Sequence, residues 1–128
     1  MADEILINDG GAPARILPFL ADEDITAGWP LEITAAGKVQ GSTANYAHAG
    51  FALNTALDGE RVNVITGSGI ILRVMCDDGT TVGDYMTVGT NRLDDTVQGT
   101  GAADDDYIAI ALEANTSGAD ALAKVLVV

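Results

Sequence analysis

The chain has 128 residues, 48% of them hydrophobic, and carries 19 acidic against six basic side chains, a formal net charge of −13. A chain of this length is expected to form one domain with a substantial core. The charge excludes a general nucleic-acid-binding role, because neutralising phosphates requires clustered Lys and Arg, and it makes an anionic membrane surface an unfavourable partner.

The composition favours an all-β fold. There are only two Phe, one Trp and three Tyr, so the core must consist mainly of Val, Ile, Leu and Ala, and 15 glycines punctuate the chain. No run reaches the roughly 18 apolar residues of a membrane span. The first residues are acidic and lack the basic region of a secretory signal.

The acidic residues are mainly aspartates, with 14 Asp and five Glu against only two Lys. An Asp-rich, Lys-poor surface stays hydrated when salt screens the repulsion between like charges. This pattern indicates a high-salt environment, with an ordinary soluble acidic protein as the alternative.

The N-terminal segment differs from the rest of the chain. Residues 4–8 form a short β-prone run that ends at a glycine turn, and Pro13 and Pro18 bracket the next apolar run. Proline removes a backbone donor and favours extended conformations at and before its position. We therefore predict an extended N-terminal arm over residues 1–20 and a single β domain over residues 21–128.

Beyond residue 25, short strands alternate with turns. Residues 41–48 and 91–106 are polar and are predicted to be loops. The alanines of residues 47–57 leave a helix open as an alternative there. The predicted strands are 31–34, 38–40, 61–66, 70–75, 85–88, 107–112 and 123–128, and residues 51–53 are predicted to form a short strand or a turn.

A sequence pattern occurs twice in the chain. Residues 26–34 (TAGWPLEIT) correspond to residues 81–89 (TVGDYMTVG), and residues 51–59 (FALNTALDG) correspond to residues 110–118 (IALEANTSG). Each copy contains a glycine turn, a strand, an apolar-Ala-Leu run and a second glycine turn. The repeat predicts a twofold pseudo-symmetric all-β fold, and it favours a shape-building protein over one organised around a catalytic cleft.

The chain lacks the motifs of known catalytic sites. His48, the only histidine, lies between two alanines and is expected to have a structural role. Cys76, the only cysteine, cannot form an internal disulfide and is expected to be buried. Without further His or Cys ligands a zinc site is not expected. We predict that the protein is not an enzyme and has no cofactor, no metal and no small-molecule substrate.

Acidic clusters occur at residues 77–78, 94–95 and 104–106. Such oxygen-rich loops can bind Ca²⁺, but adjacent acids do not match the spacing of a calcium loop. We interpret them as a solvated acidic surface and leave a cation site open. Trp29 is predicted to lie in the core or at a subunit interface.

The pattern resembles the head decoration, or cement, proteins of tailed bacteriophages and archaeal tailed viruses. The likeness rests on residues 25–28 (ITAG) with the strand that follows, on residues 37–39 (GKV), and on residues 50–67 (GFALNTALDGERVNVITG). It spans about residues 25–74 and extends further only through the internal repeat. It implies a small β-barrel or β-tulip domain, often trimeric, at threefold and quasi-threefold positions of a capsid.

The resemblance also implies the partners and their contacts. The protein would be a structural component of the virion, assembled in the host cytoplasm, that binds the major capsid protein on the outer capsid surface. It would bridge neighbouring capsomers as a homotrimer. The charge separately predicts no nucleic-acid or membrane partner, and the scarcity of aromatic residues is the reason for expecting Trp29 in the core or at a subunit interface. The arm would join the capsid protein's sheet. The arm residues expected to contact the capsid are Ile5, Ile7, Arg15, Ile16, Leu17 and Phe19.

Two alternatives stay open. The chain is compatible with another structural role on the particle, such as a turret, fibre-base or tail component. It is also compatible with a non-viral ligand- or carbohydrate-binding β module, although the aromatic platforms that bind sugars are scarce here.

Overall fold

A computed structural model describes residues 5–8, 14–43, 48–96 and 107–128. The regular secondary structure of these residues consists of β-strands, which confirms the all-β prediction. No helix among them has the length and apolar character needed to cross a membrane. The strands are β1 (Leu6–Asn8), β2 (Arg15–Leu20), β3 (Pro30–Ile33), β4 (Val39–Gly41), β5 (His48–Ala52), β6 (Arg61–Thr66), β7 (Ile71–Cys76), β8 (Tyr85–Val88), β9 (Leu93–Thr96), β10 (Ala109–Ala111) and β11 (Ala121–Val127).

The strands form two small barrels. In the first, β2, β6, β5, β3 and β4 are antiparallel neighbours, and a parallel bridge between Ala21 and Val39 closes the ring. In the second, β7, β11, β10, β8 and β9 follow the same order, and a parallel pairing of Cys76 with Leu93 closes it. Each strand of the first barrel therefore has an equivalent in the second, and the predicted twofold repeat is confirmed.

The repeat extends to single hydrogen bonds. The N–H of Gly28 donates to the carbonyl of Ala52 at 2.8 Å, and the N–H of Gly83 donates to that of Ala111 at 2.8 Å. Both glycines have a φ of 91°, a conformation that L side chains rarely adopt. The two similar turn sequences therefore form the same turn, which precedes β3 in the first barrel and β8 in the second.

The two barrels share a core. The inward residues of the first barrel form one apolar cluster, which includes Leu31, Val62 and Val64. Phe51 and Ile65, cross-strand partners on β5 and β6, belong instead to the cluster of the second barrel. The outer face of the first barrel thus contributes directly to the core of the second.

Backbone hydrogen bonds also join the barrels. The N–H of Met75 donates to the carbonyl of Gly28 at 2.9 Å, and the N–H of Asn91 donates to that of Ser42 at 3.0 Å. The Ser42 hydroxyl donates to the carbonyl of Gly89. These bonds hold the two barrels in one relative orientation.

The N-terminal strands are bonded into the barrels. β2 pairs with β6 along all six of its residues. β1 lies on the edge of β7, where Leu6 pairs with Leu72, and Ile5 next to it is only 4% exposed. The predicted division of the chain at residue 20 stays a prediction.

Three local predictions were wrong. Residues 41 and 48 belong to strands, and so does β9, where a loop was predicted. The acidic residues of β9 led to the loop prediction. The repeat nevertheless places a strand there, because β9 is the equivalent of β4. The alternative helix over residues 47–57 is also wrong for its described part, which forms β5 and two turns. Residues 97–106 of the predicted acidic loop lie outside the described residues.

We expect Gly50→Ala to destabilise the protein strongly. Gly50 has a φ of +142°, and a Cβ there would lie 2.5 Å from the carbonyl oxygen of Ile65 and 2.8 Å from Cγ1 of Val64. Because a backbone atom cannot move aside cheaply, the free energy of unfolding in urea should fall by more than about 2 kcal/mol.

Gly59→Ala is the matched control. Gly59 also has a positive φ, of +85°, but nothing lies within 4 Å of its Cβ position. It should cost only the backbone strain, about 1 kcal/mol. An equal loss in both variants would contradict the close approach at Gly50.

Candidate interaction surface

The described residues contain no group of three or more His, Cys, Asp or Glu side chains that could hold a metal ion. The candidate site is therefore sought among the individual titratable groups and on the surface of the barrels.

His48 lies at the start of β5, half-buried, with its ring 5.1 Å from that of Phe51 in an edge-to-face arrangement. Burial lowers the pKa of His48, an effect that a hydrogen bond with the backbone of Leu31 partly offsets. Its Nδ1 is shielded from solvent and lacks a hydrogen-bond partner. His48 lines a cleft of about 200 Å³ between the barrels, together with Phe51 and Val127. This is a packed ring without the partner that a general base requires.

Cys76 is fully buried at the end of β7, as predicted. Burial raises the pKa of its thiol to about 12, and the negative charges of Asp77, Asp95 and Glu113 add to the effect. A thiol with this pKa carries almost no thiolate at neutral pH, and it is therefore unreactive.

Two of the predicted acidic clusters meet in the second barrel. Oδ1 of Asp77 accepts hydrogen bonds from the N–H of Asp95 at 3.1 Å and from Oγ1 of Thr80 at 3.0 Å. Burial raises the pKa of Asp95 to about 6, with further contributions from its hydrogen bond to Asp77 and from the charges of Asp77 and Asp84. The arrangement suits two carboxyl groups that share a proton.

We expect this carboxyl pair to make stability depend on pH. The folded-state pKa of Asp95 lies above its ordinary value of 3.8, so the folded protein binds the proton more tightly than the unfolded chain does. The resulting stabilisation is present below about pH 4 and is lost as the pH rises through 6. Asp95→Asn should therefore gain stability relative to the wild type between pH 4 and pH 7, measured by urea unfolding.

Asp22→Asn is the control, because Asp22 is the exposed equivalent of Asp77 in the first barrel. It measures the effect of replacing one exposed carboxylate by an amide, and the gain of Asp95→Asn is compared with it at both pH values. A pH-independent difference between Asp95→Asn and the wild type would contradict the shared proton.

Glu32 is a buried structural carboxylate that sequence reasoning missed. The alternation of β3 predicts an outward, solvated side chain, but Glu32 is only 1% exposed. Its carboxylate accepts hydrogen bonds from the N–H of Thr43 at 2.6 Å, from Oγ1 of Thr43 at 3.0 Å and from Nε2 of Gln40 at 2.8 Å. Thr43 in turn pairs with Thr90 of the second barrel. Glu32 thus holds Thr43 in the position from which it pairs with the second barrel.

We expect Glu32→Leu to lower the free energy of unfolding by about 1–3 kcal/mol, because it leaves the donors of Thr43 and Gln40 without their acceptor. Glu32→Gln keeps one acceptor oxygen and should lose clearly less. The comparison uses urea unfolding of both variants. Equal losses would show that side-chain volume, and not hydrogen bonding, matters at this position.

The exposed apolar side chains concentrate on β2. Ile16 is 49% exposed, Leu17 45% and Leu20 50%. These three lie on one six-residue strand. Other large apolar side chains with more than a third of their surface exposed are Ile7, Ile33, Leu57, Val82, Leu112 and Val128. A strand with this much exposed apolar surface is the candidate interaction surface of the molecule.

The structure brings some of the predicted capsid-contact residues together and separates others. Arg15, Ile16 and Leu17 are consecutive exposed residues of β2, with Ile16 on the opposite face of the strand from the other two. Phe19, on the same strand, is half-buried against the core of the first barrel. The other two, Ile5 and Ile7, lie on the second barrel, at 4% and 37% exposure.

Trp29, predicted to lie in the core or at a subunit interface, is half-buried and packs against the first barrel's core. Leu20 was not among the predicted contact residues. The sequence feature that could have indicated Leu20 is its position in the apolar run at the end of β2. That any of these residues contacts a capsid stays a prediction.

The fold is similar to that of a solved phage protein. The crystal structure of head fiber gp8.5 N base in bacteriophage phi29 matches with a TM-score of 0.67 over 91% of this chain and 95% of that chain, at 14% sequence identity. At this identity the likeness is one of fold, and its coverage includes both barrels. No protein-family model and no curated protein matches the sequence.

Proposed function

We propose that this protein is a structural component of a virus head that binds the outer capsid surface and bridges neighbouring capsomers. The observation that carries the proposal is the fold shared with the phi29 head fiber base along nearly the whole of both chains. The sequence likeness to head decoration proteins points to the same kind of particle. Fold alone does not define function, so the proposal needs its own physical support.

The architecture suits a rigid clip. Both sheets close on themselves, and closure removes most of the strand edges at which β proteins associate without specificity. The barrels share a core through Phe51 and Ile65 and are joined by backbone hydrogen bonds. A body of this kind can transmit a load between two contact points without bending.

The protein would stabilise the capsid by adding buried contact area between neighbouring capsomers. Pressure from the packaged genome and repulsion between charges push capsomers apart, and a clip bound to two neighbours opposes their separation. We propose the major capsid protein as the partner and a homotrimer as the bound form, because a trimer at a threefold position contacts several capsomers at once. Linked weak contacts bind far more tightly than single ones.

The charge is consistent with an outward position. With a net charge of −13 the chain is repelled by nucleic acid, which favours the outer capsid surface over the inner one. The exposed apolar side chains of β2 are candidates for the contact with the shell.

A second candidate is the base of a head fibre, and the name of the phi29 protein specifically favours it. In that role the two barrels would attach a projecting fibre to the shell. The two candidates share the capsid contact and differ in what projects above it.

We expect the purified protein to bind, saturably, to particles of its own virus assembled without it, measured by co-sedimentation. Electron microscopy of these particles should show three copies around each occupied threefold position on the outer surface. Density confined to the barrels indicates decoration, whereas a projecting rod indicates a fibre base. Failure to bind would contradict both candidates, and bound single copies would contradict the trimer.

A further inference from the structure

The two barrels have equivalent strands but differ at one strand edge. β2 and β7 are equivalent strands, each with an inner neighbour, β6 or β11, along its whole length. The outer edge of β7 is covered by β1, where Leu6 pairs with Leu72 and the N–H of Arg73 donates to the carbonyl of Ile5 at 2.7 Å. No described residue pairs with the outer edge of β2 between Arg15 and Leu20.

The backbone donors of β2 identify this edge. Pro18, which has no N–H, pairs with Asn63 of β6, and the carbonyl of Asn63 accepts a hydrogen bond from the N–H of Leu53 on the far side. Pro18 and Asn63 are therefore a non-hydrogen-bonded pair. Since donors alternate along a strand, the N–H groups of Ile16 and Leu20 point outward, to the open edge.

The side chains of β2 lack cover as well. Leu17 is 45% exposed, whereas its equivalent in the second barrel, Leu72, is completely buried. On the other face, Ile16 and Leu20 are about half exposed. A strand with apolar residues on both faces is characteristic of a covered position in a sheet.

A second copy of the chain is a poor occupant of this edge. β1 is already paired with β7, and moving it to a neighbour's β2 would leave β7 bare and expose Ile5. Pairing β2 with β2 would place Pro18 opposite Pro18, without a donor at the centre.

The arrangement instead fits a segment of another protein. We propose, on the basis of the proposed function, that the outer edge of β2 binds an extended apolar segment of the capsid protein, added antiparallel on the side of the strand on which β1 is added to β7. Unlike β1, which accepts a hydrogen bond from the N–H of Arg73, the segment receives none from the equivalent residue, Pro18. The carbonyls of the segment accept hydrogen bonds from Ile16 and Leu20, and its apolar side chains cover Leu17.

The surroundings of the edge restrict which segment fits. Pro18 offers no donor, so the hydrogen bonds that β2 donates are spaced four residues apart, and a segment that needs the middle one is rejected. Arg15 and Arg61 are exposed at opposite ends of the β2–β6 pair, two of the six cations of an acidic chain. They favour a segment that carries carboxylates at its ends.

Hydrogen exchange at single amides tests the proposal directly. In the free protein the outward amides of Ile16 and Leu20 should exchange rapidly, and those of Leu17 and Phe19, bonded to β6, slowly. On particles assembled without this protein and then saturated with it, exchange at Ile16 and Leu20 should slow by about tenfold or more.

Ile16→Asp should weaken particle binding by about tenfold or more, because it places a charge in a covered apolar contact.

Val82→Asp is the matched control, since Val82 is 61% exposed on a turn of the second barrel. It should bind particles like the wild type. Urea unfolding checks that both variants are folded, and the exchange measurement needs no substitution. Bound protein with unchanged exchange at Ile16 and Leu20 contradicts this inference alone, and so does protection of these amides in free protein by a second copy. A wild-type chain that does not bind particles contradicts the proposed function and this inference with it.

Discussion

The closure of each sheet by one parallel residue pair is the constraint on which the rest of the structure depends. Ala21 meets Val39 in one barrel, and Cys76 meets Leu93 in the other. Strands of three to seven residues form marginal open sheets, and only closure gives them a full set of neighbours. A ring this narrow has room inside for small aliphatic side chains, which explains the scarcity of aromatic residues. Phe51, the largest fully buried side chain, lies between the barrels and not inside the first one.

The glycine turns and the alternation of apolar residues made much of this fold predictable. β6 and β8 have the predicted bounds, and the two repeated turns have the same geometry. The sequence did not reveal which outward faces are covered, because that depends on how the barrels dock. Alternation therefore misassigned Glu32, whose partners in β4 and beyond come from the tertiary structure. Asp94 and Asp95 led to the prediction of a loop where β9 lies. A short strand needs only one inward apolar residue, here Leu93, and this is too weak a pattern to recognise in the sequence.

The candidate surface was partly predictable in the same sense. The apolar run of Arg15–Leu20 marked a contact segment, but only the ladder with β6 identifies it as a barrel strand with one open edge. The two closed barrels, joined through a shared core, suit the shape-dependent role proposed above. Under the proposed function, specificity for the partner depends on the distribution of contacts over the surface and not on an active site.

The asymmetry between the two barrels has a consequence for how far assembly can extend. A molecule with two identical open edges is bivalent, and bivalent units joined head to tail grow into filaments unless their geometry closes a ring. Among the described residues β1 covers the edge of β7, so the two barrels do not present the same strand edge to a partner. Copies of the chain therefore cannot join through equivalent edges of their two barrels, and the duplication does not by itself lead to head-to-tail growth.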